Sequence, residues 1–201
     1  MLLTLFWDIL VIFTAYLMGS ISSAIITCRL MGLPDPRTLG SKNPGATNVL
    51  RIGGKSGKIA AAITLFGDSL KGFIPVLVVT LYGLDPIIIA LVGVATFLGH
   101  LYPLFFAFKG GKGVATAFGV ILATSPWVAL ALLVIWLVVA FGLKISSLSA
   151  LIAAVAAPVF IWLIMHSTEY LLMSLFITVM LIIRHRSNIS NLLSGSEDKI
   201  S

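Results

Sequence analysis

The stretch Gly99-His100-Leu101-Tyr102-Pro103-Leu104-Phe105-Phe106-Ala107-Phe108-Lys109-Gly110-Gly111-Lys112-Gly113-Val114-Ala115-Thr116 runs from an apolar aromatic segment, through a loop of glycines and lysines, into a new apolar segment. Glycines let backbone N–H groups approach a ligand closely, and lysines add positive charge. A helix starting after the loop would add the positive end of its dipole. This is chemistry for an anion, above all a phosphate seated on Lys109, Gly110, Gly111, Lys112 and Gly113. A flexible basic turn at a membrane interface has the same composition, so the rest of the chain must decide.

Outward from this stretch the chain is apolar. Of 201 residues, 59% are hydrophobic and only 10% charged, with a mean hydropathy of +1.13. Soluble domains carry about 25% charged residues. Several apolar runs approach or exceed the ~20 residues that cross a bilayer. The alternating segments of a β-barrel are absent, so helices are the spanning elements. The expected class is an all-α integral membrane protein, with one polytopic domain over residues 1–201. The single cysteine, Cys28, rules out an internal disulfide. None of the three histidines pairs at ligand spacing, so neither a metal nor a cofactor is expected. No Lys or Arg precedes Arg29, which makes the first apolar run an uncleaved membrane helix rather than a signal peptide.

The expected spans are 5–26, 59–81, 87–108, 114–124, 127–143, 148–165 and 170–183. The fourth is the weakest, since its eleven residues make only about 16 Å of helix. It must borrow from the loop or be a short buried helix. Seven crossings place the segments 29–58, 109–113, 144–147 and the tail from 184 on one side. These hold twelve of the thirteen basic residues, and the other, Lys71, lies inside a span. By the positive-inside rule that side is cytoplasmic, with the N-terminus outside and the C-terminus cytoplasmic. The net charge of +6 is thus explained by topology, and no nucleic-acid partner is expected.

Three polar constellations fall on that side. Gly40-Ser41-Lys42-Asn43-Pro44-Gly45-Ala46-Thr47-Asn48-Val49-Leu50-Arg51 offers backbone N–H, hydroxyl and amide donors, with Arg51 as a bidentate clamp for an oxyanion. The same residues suit a turn followed by a helix cap. The Gly/Lys loop is the second. In the tail, His185, Ser187 and Asn188 either anchor the interface or orient a substrate hydroxyl and take its proton. Ser146, Ser147 and Ser149 line the same face or cap a helix there. Asp68 and Lys71 share a helix face within a span. They form a structural polar pair holding the bundle, or support a buried polar site. His100, beside Pro103, reads as a packed, hydrogen-bonded histidine. Convergence on one face implies a cytoplasmic site for a phosphorylated ligand.

These residues resemble one family closely, the bacterial PlsY acyl-phosphate:glycerol-3-phosphate acyltransferases. The matching blocks are Gly19-Ser20; Gly40-Ser41-x-Asn43-x-Gly45-Ala46-Thr47-Asn48-x-x-Arg51; Asp68-x-x-Lys71-Gly72; Gly99-His100-x-x-Pro103; Phe108 to Thr116; and Arg184-His185-Arg186-x-Asn188-Ile189. The resemblance implies a seven-helix protein of the bacterial cell (inner) membrane, its active site facing the cytoplasm. The implied reaction transfers a fatty acyl group from acyl phosphate to the 1-hydroxyl of glycerol 3-phosphate, giving lysophosphatidic acid, with membrane lipids as surroundings. By motif match, Ser41, Asn43, Gly45, Thr47 and Asn48 would cradle phosphate. Arg51, Lys112, His185 and Asn188 would hold glycerol 3-phosphate and the reacting carbonyl. Departures are Lys42 where glycine is common, Ser147-Leu148-Ser149-Ala150 where Ser-Leu-Ala-Ser is frequent, and Asn191 where arginine is usual.

An acyl phosphate is already activated, so the protein needs to position two phosphorylated partners and stabilise an oxyanion. The residues five after His100, His166 and His185 are Phe105, Leu171 and Ser190, so no His-x-x-x-x-Asp pair exists. Direct transfer without an acyl-enzyme follows. The base is His185 or, preferably, a substrate phosphate oxygen. A transporter of phosphate or an organophosphate is the alternative, because short helices and glycine-rich loops occur there too. A purely structural adaptor would leave the two anion-binding loops without purpose.

Overall fold

The structure, a computed structural model, describes residues 2–200 as ten α-helices with two short 3-10 turns. The helices are α1 Leu2–Gly19, α2 Ser23–Leu30, α3 Ala46–Ile52, α4 Gly57–Leu81, α5 Pro86–Leu101, α6 Val114–Thr124, α7 Pro126–Leu143, α8 Ser146–Met165, α9 Thr168–Arg184 and α10 Arg186–Leu193. Among the described residues, four helical stretches are long and apolar enough to cross a membrane alone: Gly54–Leu81, Pro86–Phe106, Pro126–Leu143 and Ser146–Met165. The count rises to six if α1 with α2, bent by 40°, and α9 with α10, bent by 61°, are each one span.

Large apolar residues such as Phe66, Trp127 and Phe141 point outward. Shielding them from water needs lipid, so the exposed apolar surface is a solvent-facing one only if the solvent is hydrocarbon. Inside, small residues and hydroxyls let backbones touch, as membrane helices prefer. A Cβ added at Gly99 would lie 2.3 Å from the Tyr16 carbonyl oxygen, and one at Gly19 would lie 2.1 Å from that of Thr96. Each glycine thus seats the other's helix, and α1 rides directly on α5. Helix α5 is the centre of the bundle. Val92, Phe97 and Leu101 are fully buried there, against Val76 of α4 and Val120 of α6.

Several expectations hold at residue level. The fourth apolar run is the eleven-residue α6, short and largely buried against α4. Helix α4 passes through Pro75 unbroken. Others need refinement. The first run is two helices, because Ser22 caps α2 by accepting from the Ile25 N–H. The glycine- and proline-rich segment 29–58 contains α3, and the tail contains α10. Pro103 ends the third run: α5 stops at Leu101, and only a 3-10 turn, Leu104–Phe106, follows.

The α1–α5 contact has a direct test. Gly99→Ala should lower the thermal unfolding temperature in detergent by several degrees, since overpacking a tight contact costs about 1–3 kcal/mol. Gly142→Ala, with nothing within 4 Å of the added carbon, should leave it unchanged or raise it.

Candidate active site

The first loop is shaped from within by Asn48. Its Oδ1 accepts from the Ser41 N–H at 2.9 Å, and its Nδ2 donates to the carbonyls of Pro36 at 2.8 Å and Leu39 at 3.1 Å. Both amide hydrogens are therefore committed to the loop, so Asn48 braces the cradle and has no donor left for a ligand. Gly40 sits at φ 59°, with a notional Cβ only 2.2 Å from Asn48 Oδ1. A side chain there would meet both strain and collision. The brace leaves Ser41, Asn43, Gly45 and Thr47 along the wall of a cavity, with Arg51 one helical turn beyond Thr47.

The Gly/Lys loop divides along its length into residues that line the cavity and residues that do not. Ala107 and Phe108 both take left-handed backbone angles and reverse the chain, leaving Lys109 exposed and away from the cavity. Gly110 and Gly111 are buried beneath and do not line it either. Lys112, Gly113, Val114 and Ala115 do. Helix α6 has no side-chain cap at Gly113, so the N–H groups of its first turn are open to an acceptor from the cavity. Burial pushes the Lys112 ammonium below its ordinary pKa, and the nearby Glu197 carboxylate opposes that shift.

His185, at the junction of α9 and α10, and Asn188, in the first turn of α10, complete the wall. His185 Nδ1 lies 2.8 Å from the Leu181 carbonyl. A carbonyl only accepts, so Nδ1 carries the hydrogen and the neutral ring keeps its Nε2 lone pair. Burial holds the His185 pKa down to about 4. Lys112 donates to Asn188 Oδ1, while Asn188 Nδ2 donates to Glu197 at 2.6 Å. Ser147 donates to the same Glu197 oxygen at 2.6 Å, and Arg51 pairs with Asp198 at 3.0 Å. Two acidic residues of the tail thus reach back onto the basic site. Sequence reading missed both; the only signal was a pair of carboxylates in a tail next to an otherwise basic face.

Asp68 and Lys71 are ion-paired at 2.9 Å, and both are buried. Lys71 also donates to the Ile21 carbonyl at 2.7 Å, tying α4 to the break between α1 and α2. Asp68 additionally lines the cavity with His100, whereas Lys71 does not, so the pair holds the bundle and its carboxylate alone reaches the site. The cavity itself is about 330 Å³. Its polar end is the set of residues above. Its other end is apolar, between Phe118 and Ile121 of α6, Leu132, Leu133 and Trp136 of α7, and Ala150, Ala153, Ala154 and Ala157 of α8. Those alanines recur at helical spacing and keep a groove open about 11 Å along α8. A ligand that fills both ends carries an anionic head and an apolar tail.

This is the architecture of a multi-pass membrane enzyme handling an amphipathic phosphate compound, and known proteins agree. The family model described as glycerol-3-phosphate acyltransferase matches residues 9–195. Curated glycerol-3-phosphate acyltransferases of Thioalkalivibrio sulfidiphilus and Methylococcus capsulatus are 55% and 54% identical over 186 residues, covering 92% of this chain and 90% and 92% of theirs. A crystal structure of PlsY, an integral membrane glycerol 3-phosphate acyltransferase in its glycerol 3-phosphate form, superposes with a TM-score of 0.90 at 41% identity, covering 96% of each chain. Its lysophosphatidic acid form gives 0.88 at 40% identity, covering 96% of this chain and 94% of that one. The chain belongs to the glycerol-3-phosphate acyltransferase family. It is an integral, multi-pass membrane enzyme of that class.

The His185 environment predicts a pH dependence of stability. Its folded pKa lies below the unfolded value of about 6.5, so the unfolded state binds the extra proton first as pH falls. The stabilising contribution is complete above about 6.5 and is lost as pH falls toward 4. Thermal unfolding of wild type and His185→Asn should therefore differ most at pH 7.5, with wild type the more stable, and converge as the pH is lowered to 5.

Proposed function

We propose that the chain, as one polytopic domain over 1–201, transfers a fatty acyl group from acyl phosphate to the 1-hydroxyl of glycerol 3-phosphate. The product is lysophosphatidic acid, which feeds phospholipid synthesis. The observation that carries this reading is one continuous cavity whose polar end holds Arg51, Lys112, His185 and Asn188, and whose apolar end runs between α6, α7 and α8. The PlsY structures in glycerol 3-phosphate and lysophosphatidic acid forms support it. Family membership sets aside the transporter alternative.

Each residue has a task. Lys112 and the open first turn of α6 attract one phosphate, while Arg51 with the Ser41–Thr47 loop attracts the other. Asp198 is mostly exposed, so its pairing with Arg51 is weak and a phosphate dianion displaces it. The glycerol hydroxyl, placed beside His185, turns its hydrogen toward a phosphate oxygen and attacks the acyl carbonyl. The new ester C–O bond forms, the carbonyl-to-phosphate C–O bond breaks, and the hydroxyl proton leaves with the phosphate oxygen. Lys112 and Asn188 steady the oxyanion on the way. No acyl-enzyme intervenes. Ser147 orients the tail side through Glu197. Lys109 and the Gly110–Gly111 peptides act behind the cavity rather than in it.

The proposed topology is seven crossings, with the short α6 as the fourth and its preceding loop at the cytoplasmic interface. The N-terminus is outside, and the C-terminus and active site face the cytoplasm of a bacterial inner membrane. Twelve basic residues on one side support that orientation. Soluble glycerol 3-phosphate then meets a lipid-borne donor at the interface.

Purified protein given labelled glycerol 3-phosphate should form product with palmitoyl phosphate and none with acyl-CoA or acyl carrier protein. Product from the thioesters alone would overturn the donor assignment. Lys112→Ala should lose at least about 100-fold in kcat/KM, the scale of a lost oxyanion donor. Full rate and affinity in that variant would refute the placement.

A further inference from the structure

Arg184 has no part in the chemistry above, yet it sits behind both halves of the site. One terminal guanidinium nitrogen donates to the Gly110 carbonyl at 2.9 Å and the Gly111 carbonyl at 3.1 Å. The guanidinium carbon lies 5.7 Å from the centre of the Tyr102 ring, so the group is held from a second side. Arg184 is the last residue of α9, and His185 follows it directly. The Gly111 N–H donates to the His100 carbonyl at 3.3 Å, and a notional Cβ on Gly111 would lie 2.3 Å from His100 Nε2.

A loop that presents N–H groups to an anion must turn its preceding carbonyls elsewhere, because a carbonyl facing the anion would repel it. Buried carbonyls turned inward need a donor. Here the two carbonyls point at a cation on the neighbouring helix, and the cavity is lined from Lys112 onward but by neither glycine. We infer that Arg184 is a positioning residue. By holding the Gly110 and Gly111 carbonyls, it aims Lys112 and the first turn of α6 into the cavity and fixes that loop in register with His185 and Asn188. This rests on the phosphate-seat reading of Lys112. His100 buttresses the same peptides from below, and Asp68 Oδ1 stands 3.8 Å from its Nδ1.

The test uses the full chain in detergent or liposomes. Binding of labelled glycerol 3-phosphate is measured without any acyl donor, beside steady-state kinetics with palmitoyl phosphate. Arg184→Ala should weaken glycerol 3-phosphate binding and raise its KM by about tenfold or more, the scale of lost charge-assisted hydrogen bonds. KM for palmitoyl phosphate should move much less. Added guanidinium ion should restore part of the affinity, and it should restore none in Lys112→Ala. Arg186→Ala removes the same charge at an exposed position and should stay within about twofold of wild type. Arg184→Lys, keeping the charge but losing the planar fork and some reach, should fall between wild type and Arg184→Ala. Wild-type binding in Arg184→Ala would overturn the inference. So would equal losses for both substrates with a lowered unfolding temperature and no guanidinium rescue. If wild type binds glycerol 3-phosphate but does not use palmitoyl phosphate, the donor reading fails while the binding arm still decides the role of Arg184.

Discussion

The close packing of α6 on α4 is the constraint on which the site depends. A Cβ on Gly72 would lie 2.2 Å from the Thr116 carbonyl oxygen, and one on Gly119 would lie 2.0 Å from that of Ser69. Thr116 also donates its hydroxyl to the Asp68 carbonyl at 3.0 Å. These contacts fix α6 along its length and in rotation. With eleven residues it is about half the height of a hydrocarbon core. Its N-terminus therefore ends where a loop can bring Lys112 beside Asn188, and its far end leaves a groove against α7 and α8. Shortness gives the cavity both a polar and an apolar end.

Electrostatics then decides how such a basic pocket persists in an apolar body. Uncompensated cations buried together are costly. The protein answers with its own carboxylates: Asp68 on Lys71, Glu197 near Lys112 and bonded to Asn188 and Ser147, and Asp198 on Arg51. Asp68 is deep and permanent. Asp198 lies at the mouth and is mostly exposed, so water screens its pairing with Arg51. Depth thus sorts the counter-charges into tightly and loosely held ones.

Much of this was legible in the sequence because membrane spans carry a strong signal. The runs of α4, α7, α8 and α9 matched to within a few residues, and the eleven residues of α6 matched in full. The same-face spacing of Asp68 and Lys71 correctly put them together. What failed to show was set by tertiary context. Asn48 reads as a ligand donor in one dimension, but in three its amide is spent on Pro36, Leu39 and Ser41. Composition alone puts Lys109 and Lys112 in one anion loop, and only the motif match singles out Lys112; the outward turn of Lys109 rests on two left-handed residues, Ala107 and Phe108, a conformation non-glycine residues seldom adopt, so composition gives no warning of it. The return of Glu197 and Asp198 to the site depends on α10 and the turn at Gly195, and a polar tail of that kind carries no periodic signal.

The central claim is that one cavity seats an anionic head on Lys112 and the start of α6, and an acyl tail along α8. A structure of the protein with glycerol 3-phosphate and a non-transferable acyl phosphonate tests it most directly. One phosphate or phosphonate group should lie within hydrogen-bond reach of Lys112 Nζ and the Gly113–Ala115 N–H groups. Asp198 should be displaced from Arg51, and the alkyl chain should lie against Ala150, Ala154 and Ala157. Phosphate bound at Lys42 or Lys109, with the groove along α8 empty, would contradict it.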